Sequence, residues 1–402
     1  MYRKFSADLI FTGQQILQDD FVLITDQHGV VIDLLKTENA GSDIEVLKGM
    51  LCPGFVNAHC HLELSHLKSV IAEGTGLVNF VQQVMEKQNV PEDAILAAMQ
   101  LAEQELYNGG TVAVGDICNT INSIPVKQKS NILWHNFIEV SGFVDSSAKK
   151  RLDEMQKTYD QFLTIENTSP TTKIKSATTF AAHAPYSVSK TLFQLINYQT
   201  TGKLTTIHNQ ETEAENDLYK KKSGDFLQLY KNFGIVIDQF SSTGKSSLQS
   251  WLPFFTNQQS IILVHNTFTS QQDVDFVIQQ TNSNQQQAFY CICINANQYI
   301  EQKNPPIQLF YQNNCRLVIG TDSYASNHQL NMMDEIKSIV SATKNTIPLN
   351  KILQWATLNG AHALQLENEL GSFEKGKKPG IVLINNLTEN NISPKSTAKR
   401  IL

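Results

Sequence analysis

The chain has 402 residues, 32 basic and 38 acidic side chains, a formal net charge of −6 and a hydrophobic fraction of 41%. That length accommodates two or three ordinary domains or one large barrel with an attachment, and the composition suits a globular core rather than a disordered or fibrous chain. No Lys/Arg block marks a nucleic-acid or anionic-lipid surface, and no run of about 18 apolar residues is present to span a bilayer.

The N-terminal apolar stretch is too short and interrupted for a signal peptide, so the cytoplasm is the expected compartment. Six cysteines without a C-x-x-C pair point to reduced core thiols instead of a disulfide frame or a zinc ribbon.

Residues 1–50 alternate in short β-type runs separated by Gly, Asp and Asn turn signals, which predicts a small antiparallel unit. After Pro53-Gly54 short apolar strands are followed by longer helical stretches, the pattern of parallel βα units. Eight strands are expected, at 55–61, 111–117, 132–142, 176–184, 204–211, 261–268, 288–296 and 316–323. Helical spacing covers 93–107, 148–162 and 271–280 between them and 349–366 after them. The Gln285-Gln286-Gln287 cluster reads as a helix end or flexible segment.

Past Gly371, β-type runs return. The expected fold is therefore α/β, a (β/α)8 barrel over 53–367 with a composite β-sandwich domain assembled from 1–52 and 368–402. An open doubly wound sheet is the alternative, disfavoured because no G-x-G-x-x-G follows an early strand.

In such a barrel the C-terminal strand ends build the active site, so a His or Asp closing an apolar run is a candidate. The first strand ends in His59-Cys60-His61, whose alternation puts both imidazoles on one side, able to grip one metal ion. The fourth ends near His183, the fifth at His208 to Glu211, the sixth at His265 and the eighth at Asp322. A lone strand-end His is more often a hydrogen-bonded structural group, but five of them plus an Asp on five strands argue for a site. His135, early in its strand, reads as structural, and His66 as a solvent-exposed loop residue.

The stretches PGFVNAHCHLELS, FAAHAPYSVS, TIHNQETEAE, LVHNTF, NANQYI and VIGTDSYASN resemble, in order and spacing, the metal-dependent amidohydrolase superfamily. The resemblance covers nearly the whole chain and is strongest to the chlorohydrolase and nucleobase/nucleoside deaminase branch. It implies that His59, His61, His208 and Asp322 bind one divalent metal, with zinc the first candidate and iron the second.

It also implies that Glu211 shuttles protons, that His265 stabilises the attacking oxygen and that Asp322 accepts the proton of the water. Binuclear relatives carry a carboxylated Lys at the end of the fourth strand. Here Lys173 and Lys175 stand at its beginning, which favours a single ion.

The HCHLELS form resembles aminodeoxyfutalosine deaminases, so deamination of an aminated purine or adenine-type nucleoside by a metal-bound hydroxide is the expected reaction. Glu63 and His183 are the expected substrate contacts. A triazine chlorohydrolase, a cyclic-amide hydrolase similar to imidazolonepropionase, and a metal-free binding protein are the alternatives. The resemblance further implies a small-molecule substrate and a homodimer.

Overall fold

The computed structural model describes residues 2–18, 20–87, 89–166 and 177–402. Ser176, expected to open the fourth strand, and Lys173 and Lys175 lie outside the described residues. The fold is a mixed α/β architecture with eight parallel strands arranged as two four-stranded sheets.

The first sheet holds Phe55–Cys60, Thr111–Cys118, Leu133–Val140 and Ala177–Ala182 in adjacent order. The second holds Leu204–Asn209, Ser260–His265, Gln287–Ile292 and Arg316–Ile319, again in chain order. These are hereafter strands one to eight. Strands one and two are buried throughout, as expected of parallel strands covered on both faces, and this explains their near-continuous apolar runs.

The two sheets meet at both edges. Strand four approaches strand five where the His208 amide donates to the His183 carbonyl at 3.0 Å. Strand eight returns to strand one where the Thr321 and Asp322 amides both donate to the His59 carbonyl at 3.1 Å. Asn57 reinforces that edge, donating through Nδ2 to Thr321 Oγ1 at 2.8 Å and accepting from the Thr321 amide at 3.1 Å.

Helices cross between strands for local reasons. Glu92–Asn108 begins with two acidic residues in its first turn and buries Met99, Ala102 and Leu106, a three-and-four spacing that makes one apolar stripe. Gln271–Asn284 opens with a reciprocal Ser270/Asp273 capping box and ends at Gln285 in the left-handed conformation, so the glutamine cluster is a helix end leading into strand seven.

The helix expected over 349–366 is instead two pieces, Leu349–Trp355 and Leu358–Ala363. The Ala356 carbonyl is diverted to the Val56 amide at 2.8 Å, tying the break to strand one.

The early β runs and the C-terminal ones share a five-stranded sheet, ordered Thr397–Arg400, Ile381–Asn385, Met50–Pro53, Leu9–Phe11 and Ile16–Gln18. A second, four-stranded sheet holds Val31–Lys36, Phe21–Asp26, Tyr2–Ser6 and Glu45–Val46. Phe5, Leu23 and Leu51 from the N-terminal segment pack with Phe373, Ile381 and Leu383 from the C-terminal one, so neither end buries its apolar face alone. Among the described residues no helix is long and apolar enough to cross a membrane.

Candidate metal centre and cavity

Two backbone features aim the polar side chains. Strand alternation sends His59 and His61 to one side, and their rings meet edge-on with centroids 4.9 Å apart. Beyond strands five, six and eight the chain turns sharply. Gln210 (φ 47°), His265 (φ 73°), Asn266 (φ 58°) and Asp322 (φ 57°) all sit in the left-handed region, which costs a non-glycine residue about 1 kcal/mol or more.

Local bonds hold these turns. The Gln210 amide donates to Glu215 Oε1 at 2.9 Å, and Asn266 Nδ2 donates to the Leu263 carbonyl at 2.8 Å.

The result is a buried cluster. His61 Nε2 and His208 Nε2 lie 3.1 Å apart, and Asp322 Oδ1 is 3.5 Å from His59 Nε2 and 3.4 Å from His61 Nε2. A tetrahedral ion with bonds of about 2.1 Å separates its donor atoms by about 3.4 Å, so these contacts match the edges of one coordination shell.

His59 supplies a second indication. Both its ring nitrogens are buried and have no hydrogen-bond partner, a costly state for a polar ring unless a ligand takes the lone pair. The outer nitrogen of His208 is fixed, because Nδ1 donates to the His183 carbonyl at 2.7 Å and leaves Nε2 bare for an ion. Asp322 Oδ2 accepts from Ser326 Oγ at 2.5 Å. Three imidazoles and a carboxylate thus form a site able to hold a divalent metal.

Burial sets the charge states. It lowers His61 to about 3 and His265 to about 4, and pulls His208 well below the usual range, so all three rings are neutral near pH 7. For Asp322, burial acts upward but is outweighed by the adjacent His59 ring and by His61 and His265, leaving it well below the usual carboxylate range. Burial, reinforced by the Asp322 charge, pushes the Glu211 carboxyl well above that range. Glu211 Oε1 lies 3.6 Å from His265 Nε2. Two carboxyls in one cluster are thereby shifted in opposite directions.

A cavity of about 290 Å³ opens on this cluster. Its apolar lining comes from Leu64 and from Leu77, Phe80, Val81, Val84 and Met85 of the helix Leu77–Glu86, and its polar lining beyond the cluster from Asn119, Glu139, Ser141 and His183. A larger groove of about 690 Å³ lies beside the helix Met332–Ala342, but no His, Cys, Asp or Glu lines it, so volume alone does not identify the site.

His183 lines the cavity with its Nδ1 2.6 Å from Ser187 Oγ. Glu63 is placed otherwise. It lies in the 3-10 turn Leu62–Leu67, and its carboxyl accepts from the amides of Asn119 (3.2 Å) and Thr120 (3.1 Å), holding the loop that carries Asn119 to the cavity.

His135 is buried 2.9 Å from Thr179 Oγ1 and stacked on Phe137, away from the cluster. His66 is half-buried, its Nδ1 donating to the Glu63 carbonyl at 3.1 Å, because the turn folds it back.

Several contributors were not anticipated. Glu139 closes strand three just as His208 and His265 close theirs, so the same strand-end rule would have found it. Asn297, whose Oδ1 lies 3.1 Å from His265 Nδ1, follows strand seven in a helix and gives no such signal.

The chain is 25% identical over 335 residues to an adenosine deaminase of Helicobacter pylori, covering 82% of this chain and 77% of that relative. Among solved structures it resembles the H. pylori aminofutalosine deaminase in complex with methylthio-coformycin, with a TM-score of 0.77, 20% identity and coverage of 97% of this chain and 93% of that one. An adenosine deaminase from Xanthomonas campestris with bound zinc gives a TM-score of 0.72, 20% identity and coverage of 95% and 84%. A profile of the amidohydrolase family matches residues 50–399, and the chain belongs to that family.

Proposed function

We propose that this enzyme hydrolytically deaminates an aminated purine nucleoside, using one divalent metal, zinc first, held by His59, His61, His208 and Asp322. The observation that carries the reading is the geometry of one buried cluster: His59, His61 and His208 with the Asp322 carboxyl 3.4–3.5 Å from two of the rings, and the Glu211 carboxyl beside them, 3.6 Å from His265 Nε2. The deaminase names of the relatives supply the substrate class. The edge contacts between strands one and eight and between four and five support closure of the two parallel sheets into one (β/α)8 barrel. The shared sheet and core support a composite domain from 1–52 and 368–402. Six free cysteines suit a reducing compartment such as the cytoplasm.

A divalent ion in such a site lowers the pKa of a water to about 7, which makes hydroxide available at working pH. The chain's own residues do the rest. Asp322 accepts the proton of the attacking water. Glu211, whose carboxyl burial holds well above the usual range, donates to the ring nitrogen beside the carbon under attack, then takes the remaining proton of the added hydroxyl and passes it to the amino group, and the proton on Asp322 restores Glu211 for the next cycle. Water adds its oxygen to the ring carbon, the C–N bond breaks, and ammonia leaves with a keto group behind.

The tautomer of His265 refines its role. Asn297 Nδ2 is committed to Thr267 Oγ1, so Asn297 Oδ1 faces His265 and receives the Nδ1 proton. The Nε2 atom of neutral His265 therefore offers a lone pair. His265 must take a proton before it can donate to a developing oxyanion, which makes it a proton acceptor first and an electrostatic stabiliser second.

The test is an ammonia-release screen of the metal-loaded enzyme against adenosine, 5′-deoxyadenosine, aminodeoxyfutalosine, guanine, aminotriazines and cyclic amides. Ammonia from a purine nucleoside is the expected result. Ammonia from an aminotriazine but from no purine, or a ring-opened acid without ammonia, would refute the assignment.

A further inference from the structure

We propose that Glu139 is a specificity-determining residue that accepts hydrogen bonds from the sugar hydroxyls of the substrate. The inference rests on the nucleoside reading above and deepens it.

Glu139 stands next to last in strand three and is only 7% exposed. Its Oε1 is buried without a hydrogen-bond partner, which a folded chain tolerates where a ligand completes the bond. The nearest ring does not satisfy it. His208 Nδ1 lies 3.6 Å from Oε1, but its single proton is directed to the His183 carbonyl at 2.7 Å, an atom that can only accept. Glu139, Ser141 and His183 line the cavity together with the apolar side chains of the helix Leu77–Glu86.

The missing partner must bring an O–H or N–H. In a deaminase the substrate's amino group is spoken for, because it sits at the carbon attacked between Glu211 and Asp322. The donors left on a purine nucleoside are its sugar hydroxyls. A vicinal diol presents two of them to the two oxygens of one carboxyl, a match that a single hydroxyl or a bare base lacks. The apolar side chains of the helix Leu77–Glu86 that line the same cavity suit the face of the base and an uncharged 5′ end.

Glu139, His183 and His208 also lie close enough to be weighed as a second cation site. Their donor atoms argue against it: His208 Nδ1 is committed to the His183 carbonyl, and His183 Nδ1 to Ser187 Oγ.

The experiment compares kcat/KM for adenosine and 2′,3′-dideoxyadenosine in the wild type, E139Q and E139A, with the metal content of each measured by elemental analysis. The wild type should favour adenosine by roughly 10- to 100-fold, the worth of hydrogen bonds to a charged acceptor. In E139A that preference should fall to about threefold or less, chiefly through KM, with E139Q intermediate and the metal content unchanged. A residue that only braces His208 would slow both substrates alike and leave the ratio intact, which would overturn the proposal. Loss of one equivalent of metal in E139A would also overturn it, by making Glu139 a ligand. Equal wild-type efficiency on both nucleosides would overturn this inference alone, whereas no ammonia from either would overturn the functional reading and this inference with it.

Discussion

Lys127 is buried against Asp116 beneath the loop that carries His61, and replacing it with Met tests how the fold supports the site. Its Nζ lies 2.6 Å from Asp116 Oδ2, 2.8 Å from Asn136 Oδ1 and 3.1 Å from Cys118 Sγ, and both charged side chains are almost wholly inaccessible to solvent. Asp116 in turn accepts from the Leu62 amide at 2.8 Å, one residue beyond His61.

Met keeps a stem of similar length and removes the charge, its three polar contacts and the ammonium that sits 5.1 Å from the Trp134 ring centroid and 5.0 Å from that of Phe162. Stranding one member of a buried ion pair costs about 3–5 kcal/mol, a large share of the roughly 5–15 kcal/mol that holds a typical domain folded. The double variant Asp116→Asn, Lys127→Met leaves no stranded charge. It should recover at least about 2 kcal/mol relative to the sum of the single changes, as expected for directly coupled residues. Guanidinium unfolding midpoints of the four proteins measure this. A cost below about 1 kcal/mol for Lys127→Met, or additivity in the double variant, would refute the reasoning.

Three other outcomes follow from the geometry. Burial raises Glu335 to about 8 from an ordinary 4.5, so the folded state binds its proton more tightly than the unfolded state. Its contribution to stability is full below pH 4.5 and is lost as the pH rises through 8; Glu335→Gln should flatten the melting temperature between those limits, and an unchanged slope would contradict this. At Gly320 an added Cβ would come within 2.8 Å of Cys291 Sγ and 2.9 Å of His59 Cβ. Gly320→Ala should therefore cost about 1–3 kcal/mol and weaken metal retention on dialysis against a chelator, whereas full retention would speak against it. No Lys or Arg is among the described residues lining the cavity, so a 5′-phosphate finds no counter-charge; AMP should be turned over about 100-fold less efficiently than adenosine, with comparable rates counting against the neutral-ligand picture.

Much of the site was legible because parallel strands print their ends in the sequence. An apolar run closed by His or Asp reports both the strand and the rim residue, and His59, His61, His208, His265 and Asp322 were all reached that way. The same logic extends to Glu139, a carboxylate one residue before the end of strand three, once Glu is read alongside His and Asp.

Other features leave no local trace. Glu63 follows His61 by two, as alternation suggests, yet the chain leaves the strand for a 3-10 turn at Leu62, and the carboxyl swings onto the Asn119 and Thr120 amides. The Asp116–Lys127 pair joins a strand to a short helix, and Asn297 reaches His265 from the helix that follows strand seven. Such contacts between distant segments depend on the closed fold rather than on periodicity. The break between Trp355 and Leu358 is of the same kind, since its cause is a hydrogen bond to strand one, 300 positions earlier in the chain.

The central claim is that Glu211 moves protons at a metal site it does not help to bind. Metal content and ammonia release, measured together in the wild type and in Glu211→Gln, test it most directly. One equivalent of metal is expected in both proteins, with a loss of turnover in the variant of about a thousandfold or more, since an amide can neither deliver nor retrieve the proton. Turnover within tenfold of the wild type, or loss of the metal along with the activity, would contradict it.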